Sequence, residues 1–280
     1  MNAIDIKGLT KTYADFTLSN LNLTLPSGCI MGLVGENGAG KSTTVKLILD
    51  IIKKDSGSIK ILGKDNQEDI KCIKEEIGAV LDEVGFPDCL TAPQIGKIME
   101  NTYQNWDNAV YGDLLKKFSM PTKKMFQEYS RGMKMKLGIA VALSHHPKLL
   151  ILDEATNGLD PVARDEVVDM ICEFTRDESH AVLVSSHIVT DLEKICDYIA
   201  FLHKGELLLC EEKDVLLTEY GIVHCSSESI QEIAPSAIIR KKETAFGVEA
   251  VVKRKDIPSG LDYSPVSIEE LFVSMVKGAK

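Results

Sequence analysis

The chain has 280 residues, of which 44% are hydrophobic and 26% charged, a balance typical of a globular protein with one large and one smaller domain. Its formal net charge of −10 argues against a protein that binds nucleic acid through an overall positive charge. A local basic patch stays an open alternative. No apolar run approaches the roughly 18 residues that span a bilayer, and the start, MNAIDIKGLTKTY, is unlike a signal peptide. We therefore expect the chain to stay in the cytosol unless a partner carries it to a membrane.

The cysteines and histidines show no metal-binding pattern. None of the seven cysteines forms a C-x-x-C pair, and the six histidines lack metal-ligand spacing. An odd number of cysteines, most of them beside apolar residues, indicates reduced and mostly buried thiols. We therefore predict free cysteines and no structural zinc site.

The first part of the chain predicts strands of two kinds. AIDIKGLT and FTLSNLNLTL alternate apolar and polar residues, as half-buried antiparallel strands do. GCIMGLVG is almost continuously apolar, which favours a fully buried strand. A glycine-rich turn and a helix-like run, KSTTVKLILDII, follow it. GSIKILG and IGAVL predict two further strands, with a helix at QEDIKCIKEE between them.

Strand signals disappear from about 87 to 144, where helical periodicity dominates, and they return at KLLILDEA and HAVLVSSH. A helix over 162–176 is predicted between these two strands, and YIAFLHKGELLL predicts a hairpin. Strands that alternate with helices indicate an α/β fold. We predict a core with a mostly parallel sheet, an antiparallel N-terminal β-subdomain and an all-helical insertion at about 87–144.

The residues beyond about Tyr220 differ in character. The segment 221–280 contains eight Lys or Arg and eight Asp or Glu residues, so residues 1–220 carry the whole net charge of −10. AFGVEAVVKRKD alternates like a strand, and SIEELFVSMVKG predicts a closing helix capped by Ser267. We predict a main domain at 1–220 and a small C-terminal α+β domain at 221–280.

The stretch GENGAGKST matches the phosphate-binding pattern G-x-x-x-x-G-K-[ST]. Its glycines let backbone N–H groups turn inward around an anion, and the helix that follows directs its positive end at the phosphates. Lys41 supplies a mobile charge for the β- and γ-phosphates, and the Ser42 hydroxyl can ligate Mg²⁺. The alternative is a glycine-rich turn that binds nothing. The predicted nucleotide-binding residues are Gly35, Glu36, Asn37, Gly38, Ala39, Gly40, Lys41, Ser42 and Thr43.

Two carboxylates end the strand in KLLILDEATNGLD, at the sheet edge where ligands bind in such folds. Asp153 suits a ligand of Mg²⁺ or of its water, and Glu154 suits a general base that polarises the attacking water. A helix cap in a solvated turn is the alternative for both. His187 ends the strand AVLVSSH and can reach the γ-phosphate and the water if that strand neighbours the other two. Otherwise a lone histidine at a strand end is structural.

Together these motifs resemble those of the nucleotide-binding subunits of ATP-binding cassette (ABC) transporters, which implies a P-loop NTPase core over about residues 1–220. GENGAGKST, LLILDEAT, NGLD and SSH are similar to the family's phosphate loop, acidic strand, dimer-contacting loop and switch histidine, and they occur in the family's order. The resemblance implies that Asp160 contacts a second subunit and that Tyr13 stacks on adenine. A core tyrosine in a strand is the alternative for Tyr13.

YSRGMKMKL lies where the family carries its signature, usually Leu-Ser-Gly-Gly-Gln. Alone, the stretch predicts a helix capped by Ser130. The resemblance implies that Ser130 and Gly132 close over the γ-phosphate held by a second subunit, so that two ATP molecules are sandwiched in a head-to-tail dimer. Arg131 and Met133 replace the usual glycine and glutamine, which resembles a branch of bacterial exporters of peptides, antibiotics or lipids. Arg131 belongs either to the phosphate pocket or to the dimer surface.

Asp82, in IGAVLDEVG, stands where the family expects a glutamine that touches Mg²⁺ and senses the membrane partner. A carboxylate can ligate Mg²⁺, and more strongly than an amide does. Asp82 therefore either takes the place of the glutamine or belongs to a solvated turn, and both interpretations stay open.

The resemblance implies the ATP-binding and hydrolysing subunit of an ABC transporter, which powers export of a peptide, antibiotic or lipid-like substrate. ATP and Mg²⁺ are the expected cofactors. The expected partners are a membrane permease, docked near residues 86–99 at the cytoplasmic face of the membrane, and a second nucleotide-binding subunit, identical or related. Nucleic acid is not expected as a partner. The alternatives are a soluble cassette ATPase that acts on nucleic acid or the ribosome, and a regulatory module that holds ATP without turnover.

Overall fold

A computed structural model describes residues 1–68, 70–245, 247–258 and 261–278; Asp69 and Phe246, which fall in a predicted helix and a predicted strand, lie outside these ranges. In chain order, its strands are β1 (Asn2–Thr12), β2 (Thr17–Pro26), β3 (Ile30–Gly35), β4 (Ser56–Ile61), β5 (Lys64–Asp65), β6 (Ile77–Val80), β7 (Leu149–Asp153), β8 (Ala181–Ser186), β9 (Tyr198–His203), β10 (Glu206–Glu212), β11 (Tyr220–Cys225), β12 (Ile238–Thr244), β13 (Gly247–Lys253) and β14 (Tyr263–Ser264). Its α-helices are α1 (Lys41–Ile48), α2 (Ile70–Glu75), α3 (Ala92–Glu100), α4 (Asn108–Lys117), α5 (Arg131–Leu143), α6 (Pro161–Phe174), α7 (Val189–Ile195), α8 (Lys213–Glu219) and α9 (Ile268–Gly278). In these ranges no helix combines the length and the apolar character needed to cross a membrane.

The central sheet has six strands in the order β10-β9-β3-β8-β7-β6. Strands β9, β3, β8, β7 and β6 are parallel, and β10 pairs antiparallel with β9 at one edge. Every residue of β3, β7 and β8 is buried, as their continuous apolar runs predict. Because β3, β8 and β7 are neighbours, the phosphate loop, His187 and Asp153 follow adjacent strand ends at the same edge of the sheet.

The N-terminal residues form a second, antiparallel sheet in the order β2-β1-β4-β5. Strand β2 alternates buried and exposed side chains along most of its length. Its inward residues, among them Leu21, Leu23 and Leu25, pack in one core with Leu33 of β3 and with Val45 of α1. The predicted antiparallel N-terminal β-subdomain is confirmed, and it lies against the strand and the helix that flank the phosphate loop.

Helices α3, α4 and α5 follow one another between β6 and β7, so the predicted all-helical insertion is confirmed. Each helix begins at a polar cap. Thr91 and Gln94 form a capping box at α3. Asp107 accepts hydrogen bonds from two amides at the start of α4, and Ser130 accepts one at the start of α5. The insertion packs on the central sheet mainly through α5, whose side chains Leu137, Ile139 and Ala140 are fully buried.

Two short helices, α7 and α8, were not predicted from the sequence. Helices α7 and α8 span only seven residues each, too few to give a recognisable period in the sequence.

All seven cysteines belong to the described ranges and are free, as predicted. They are not mostly buried: only Cys196 is, whereas Cys72, Cys89 and Cys172 are exposed. Apolar neighbours in sequence do not bury a thiol that faces outward from a helix, as at Cys72 and Cys172, or from a turn, as at Cys89.

The C-terminal residues form a third sheet, in the order β12-β13-β11-β14, followed by α9. Ser267 and Glu270 form a reciprocal cap at α9, which confirms the predicted role of Ser267. One face of this sheet has a small core of its own around Val223, Ala237 and Val252. Other C-terminal side chains, Phe272 among them, join the core of the main sheet. The division at residue 220 therefore stays a prediction.

Candidate nucleotide-binding site

The phosphate loop connects β3 to α1, with the conformation that its glycines predict. Gly38 and Gly40 have φ of 81° and 112°, in the region that favours glycine. A Cβ atom on Gly40 would also lie 3.0 Å from the Phe16 ring and 3.2 Å from Leu18. Any other residue at position 40 would strain the backbone and crowd these side chains. The loop is thereby held open at the N-terminus of α1, which favours an anion.

Lys41 is a buried cation in the first turn of α1. Its side chain is 5% exposed, and its Nζ donates to the carbonyl oxygen of Gly35 at 2.7 Å. The same Nζ lies 3.1 Å from Oε1 of Glu154. A charge buried this deeply requires an anionic partner, and Glu154 provides one.

Glu154 occupies the centre of a line of three charged or titratable side chains. Its Oε2 is 2.7 Å from Nδ1 of His187, on the opposite side from Lys41. Glu154 itself has a φ of 54°, and its amide donates to the carbonyl oxygen of Ser185 at 3.1 Å. This turn directs the carboxylate back across the ends of β3 and β8. Of the three residues predicted to act in catalysis, Lys41 and His187 therefore each contact Glu154 directly.

Asp153 is buried at the end of β7 and accepts a hydrogen bond from the Ser185 hydroxyl on the neighbouring strand β8. Ser185 also accepts from the Glu154 amide at 3.2 Å, so one serine orients both acidic positions. The sequence did not predict this role of Ser185, because only the pairing of β7 with β8 places Ser185 opposite Asp153.

A cavity of about 600 Å³ opens over the phosphate loop. Besides the loop, it is lined by two acidic residues that the sequence singled out, Asp82 and Glu154. It is also lined by three residues that were missed: Asp15, Phe16 and Asn157. Phe16 and Asp15 belong to the turn between β1 and β2, where no sequence motif marks them.

Tyr13 lies beside this cavity on the same turn. Its side chain is 44% exposed, which rules out the core-tyrosine alternative. The centroid of its ring is 6.5 Å from that of Phe16, and Nζ of Lys11 lies 5.7 Å from the Tyr13 ring centroid. An exposed aromatic face at the mouth of the cavity is available for a planar ligand.

The predicted Mg²⁺ ligands supply only oxygen atoms. They are the Ser42 hydroxyl and the carboxylates of Asp153 and Asp82. Within the described residues no group of three or more His, Cys, Asp or Glu side chains could hold a metal by itself. Mg²⁺ commonly binds through one or two carboxylates together with substrate phosphates. The donor set therefore fits Mg²⁺ that arrives with a nucleotide.

Asp82 follows β6 in an exposed loop, where its Oδ1 is 2.7 Å from the Arg131 guanidinium. The solvated-turn alternative therefore gives an incomplete account of Asp82, because the carboxylate has a charged partner within the chain. Sequence alone did not connect the two residues, which are 49 positions apart.

Eight of the predicted residues do not line this cavity. Five of them adjoin residues that do, namely Tyr13, Gly35, Ala39, Asp153 and His187, and the other three are Ser130, Gly132 and Asp160. Ser130 caps α5, its Oγ accepting from the Met133 amide at 3.3 Å, and it is exposed. Asp160 caps α6 in the same way, accepting from the amides of Ala163 and Val162. The Ala163 amide, followed by that of Val162, lowers the pKa of Asp160. Both caps are predicted to address a second subunit, and both are open to solvent.

Residues 18–157 match the model of the ABC transporter family. This chain belongs to that family. The lantibiotic transport ATP-binding protein SrtF of Streptococcus pyogenes is 34% identical over 243 residues, which are 85% of this chain and 99% of that protein. The bacitracin transport ATP-binding protein BcrA of Bacillus licheniformis is 37% identical over 203 residues, 71% of this chain and 66% of that protein.

A solved structure of an ATP-binding subunit of an ABC transporter superposes with a TM-score of 0.70 at 25% identity, covering 77% of this chain and 92% of that one. The P-loop NTPase fold predicted from the motifs is therefore confirmed. This ABC protein is an ATP-binding subunit with ATPase activity.

Proposed function

We propose that this ABC protein hydrolyses ATP at the cavity over its phosphate loop and thereby drives export of a peptide antibiotic, or a similar substrate, through a separate permease. The contact of Glu154 with both Lys41 and His187 carries this proposal, because a module that only holds ATP needs neither a base nor its partner. The similarity to SrtF and BcrA, which are named as lantibiotic and bacitracin transport proteins, supports the class of substrate.

In this proposal each residue of the site has a separate task. The amides of the phosphate loop and Lys41 hold the β- and γ-phosphates. As Lys41 turns to the phosphates, Glu154 loses one positive partner and keeps His187, so its carboxylate is free to accept a proton from the attacking water. Ser42, Asp153 and Asp82 would hold Mg²⁺. When bound, Mg²⁺ neutralises charge on the phosphate oxygens.

We also propose that the exposed face of Tyr13 stacks on the adenine ring. Its place on the turn before β2, next to Phe16 in the cavity wall, supports this role. Stacking requires only a flat, accessible face, which a phenylalanine would also provide. The edge of the base is then left for solvent or for a second subunit.

A second copy of the chain, or a related subunit, is proposed to complete the site. Ser130, Gly132 and Asp160 do not line the cavity of their own chain, and Ser130 and Asp160 cap helices at the surface. The start of a 13-residue helix, with its free amides and a serine hydroxyl, suits an anionic phosphate presented from outside.

The permease is proposed to dock near residues 86–99, on the helical insertion. Phe86 lines a second cavity of about 480 Å³ next to the nucleotide cavity, together with Phe126 and Tyr129. On α3, Ile98 is 45% exposed, an apolar surface available to a partner. Docking there would hold this ABC protein at the cytoplasmic face of the membrane. Copurification of a membrane protein that is lost when residues 86–99 are altered would support this assignment.

Substitution of Glu154 tests the proposed activity. Glu154→Gln keeps the size of the side chain and removes the base, so the ATPase rate is expected to fall about 10²- to 10⁴-fold while ATP remains bound. The exposed Glu178→Gln is the matched control and is expected to keep the wild-type rate. Phosphate release and equilibrium binding of ATP measure the two effects. Wild-type protein that binds ATP without turnover would contradict the proposal.

A further inference from the structure

Two of the three positions at which the sequence departs from its family's pattern, Arg131 and Asp82, contact each other. Nη2 of Arg131, in the first turn of α5, lies 2.7 Å from Oδ1 of Asp82 in the loop after β6. The side chains are 50% and 49% exposed, so water screens the pair. Such a pair is weak enough to open when a competing partner arrives.

Asp82 lies between two cavities. It lines the nucleotide cavity, and it also lines the neighbouring cavity of about 480 Å³. Arg131 lines only the second of these two. The ion pair therefore engages the Asp82 carboxylate at the border of the nucleotide cavity, from the side of the second cavity.

A further contact fixes Arg131 in this position. A Cβ atom on Gly158 would lie 3.2 Å from Nη1 and 3.4 Å from Cδ of Arg131. The arginine therefore rests directly on the loop between Glu154 and α6. With a φ of 68°, Gly158 has the left-handed backbone that leaves this space free. Arg131 thus bridges the loops that follow β6 and β7, and it is held by packing as well as by charge.

We propose that Arg131 is a positioning residue whose ion pair with Asp82 acts as a latch: it occupies the Asp82 carboxylate at the border of the nucleotide cavity until nucleotide-bound Mg²⁺ competes for it. This inference rests on the proposed function of the site. Without Mg²⁺, Arg131 also neutralises a carboxylate that would repel the phosphates. With Mg²⁺, Arg131 and the metal compete for the same carboxylate.

ATP affinity, measured in EDTA and again in Mg²⁺, tests the latch. The variants are Arg131→Gln, Asp82→Asn and the double variant. Lys134→Gln is the matched control, because Lys134 lies on the same helix and lines the same second cavity, with its Nζ over the Phe126 ring at 4.6 Å. It removes an equal charge and leaves the ion pair intact.

Arg131→Gln is expected to weaken ATP binding in EDTA and to tighten it in Mg²⁺, each by about two- to fivefold, the range expected for an exposed ion pair. Lys134→Gln is expected to weaken binding in both conditions. In the Asp82→Asn background, Arg131→Gln is no longer expected to change ATP affinity in opposite directions in EDTA and in Mg²⁺. The reason is that the double variant has no carboxylate at position 82 for Arg131 to neutralise or for Mg²⁺ to bind.

Two results would overturn the latch. In the first, Arg131→Gln changes ATP affinity in EDTA and in Mg²⁺ as Lys134→Gln does. In the second, Arg131→Gln still changes ATP affinity in opposite directions in the two conditions when position 82 is Asn. Wild-type protein that binds no ATP would instead overturn the proposed function, and the latch with it. Thermal unfolding of each variant without nucleotide verifies that the variant is folded. A reversed effect on ATP affinity between EDTA and Mg²⁺ then reflects the binding site and not the stability of the chain.

Discussion

Phe272→Ala is expected to destabilise the whole protein, although Phe272 lies near the C-terminus in the predicted small domain. Its ring packs edge-on against Phe201, with centroids 5.1 Å apart. Phe272 is 8% exposed and Phe201 is fully buried. Phe201 belongs to β9, the neighbour of the strand that carries the phosphate loop. Helix α9 therefore closes the core of the nucleotide-binding domain.

The magnitude follows from burial. Truncation of a core phenylalanine to alanine costs about 3–5 kcal/mol of unfolding free energy. The entropy of unfolding is about 2.1 cal/mol/K per residue, which for 280 residues is about 0.6 kcal/mol/K. The midpoint of thermal unfolding is then expected to fall by about 5–9 °C.

Scanning calorimetry provides the assay, because it separates one transition from two. A single transition that shifts as a whole is expected, since α9 and β9 share a core. Glu269→Ala, at an exposed position in the first turn of α9, is the control and is expected to shift the midpoint by less than about 1 °C. A new low-temperature transition beside an unchanged main one would refute the reasoning, since residues 221–280 would then unfold independently.

Two further predictions concern the helix caps. Ser130→Arg is expected to leave ATP affinity within about threefold of wild type. It is expected to abolish ATP-dependent dimerisation, measured by light scattering, and hydrolysis, measured by phosphate release. Loss of ATP binding itself would contradict a role of Ser130 toward a second subunit. Asp160→Ala is expected to lower the urea midpoint at pH 7, whereas Asp160→Asn, which keeps the acceptor, is not. Because the folded-state pKa of Asp160 is lowered, its cap is fully present above the unfolded pKa of about 4 and is lost as the pH falls below it. The difference between wild type and Asp160→Ala should therefore shrink in acid, and a difference that grew there would contradict this assignment.

The elements predicted correctly are those that local sequence determines. A buried parallel strand needs a run of apolar residues, a phosphate loop needs glycines at fixed spacing, and a helix cap needs one polar residue before the first turn. Each of these signals spans fewer than about ten residues, which is why β3, β7 and β8 and the caps at Ser130 and Ser267 were predictable.

The parts that were missed depend on contacts between distant segments. Ser185 holds Asp153 only because β8 pairs with β7, and Phe16 reaches the cavity only because the N-terminal sheet packs beside the phosphate loop. The role of Arg131 was left open for the same reason. Its partner is 49 positions earlier, and no periodicity or motif links a helix start to a loop after a different strand.

The contact between Lys41 and Glu154, which supports Glu154 as the proposed base, also neutralises the buried charge of Lys41. Lys41 and Glu154 are 5% and 10% exposed at their side chains, so the Glu154 carboxylate compensates the buried charge of Lys41. A buried charge left without its partner costs several kcal/mol. In Glu154→Gln the phosphates of ATP would restore the anion that Lys41 has lost, so ATP should stabilise this variant against unfolding more than it stabilises wild type. Retention of ATP by the variant therefore has two physical causes: the slow chemical step, and the need of Lys41 for an anion.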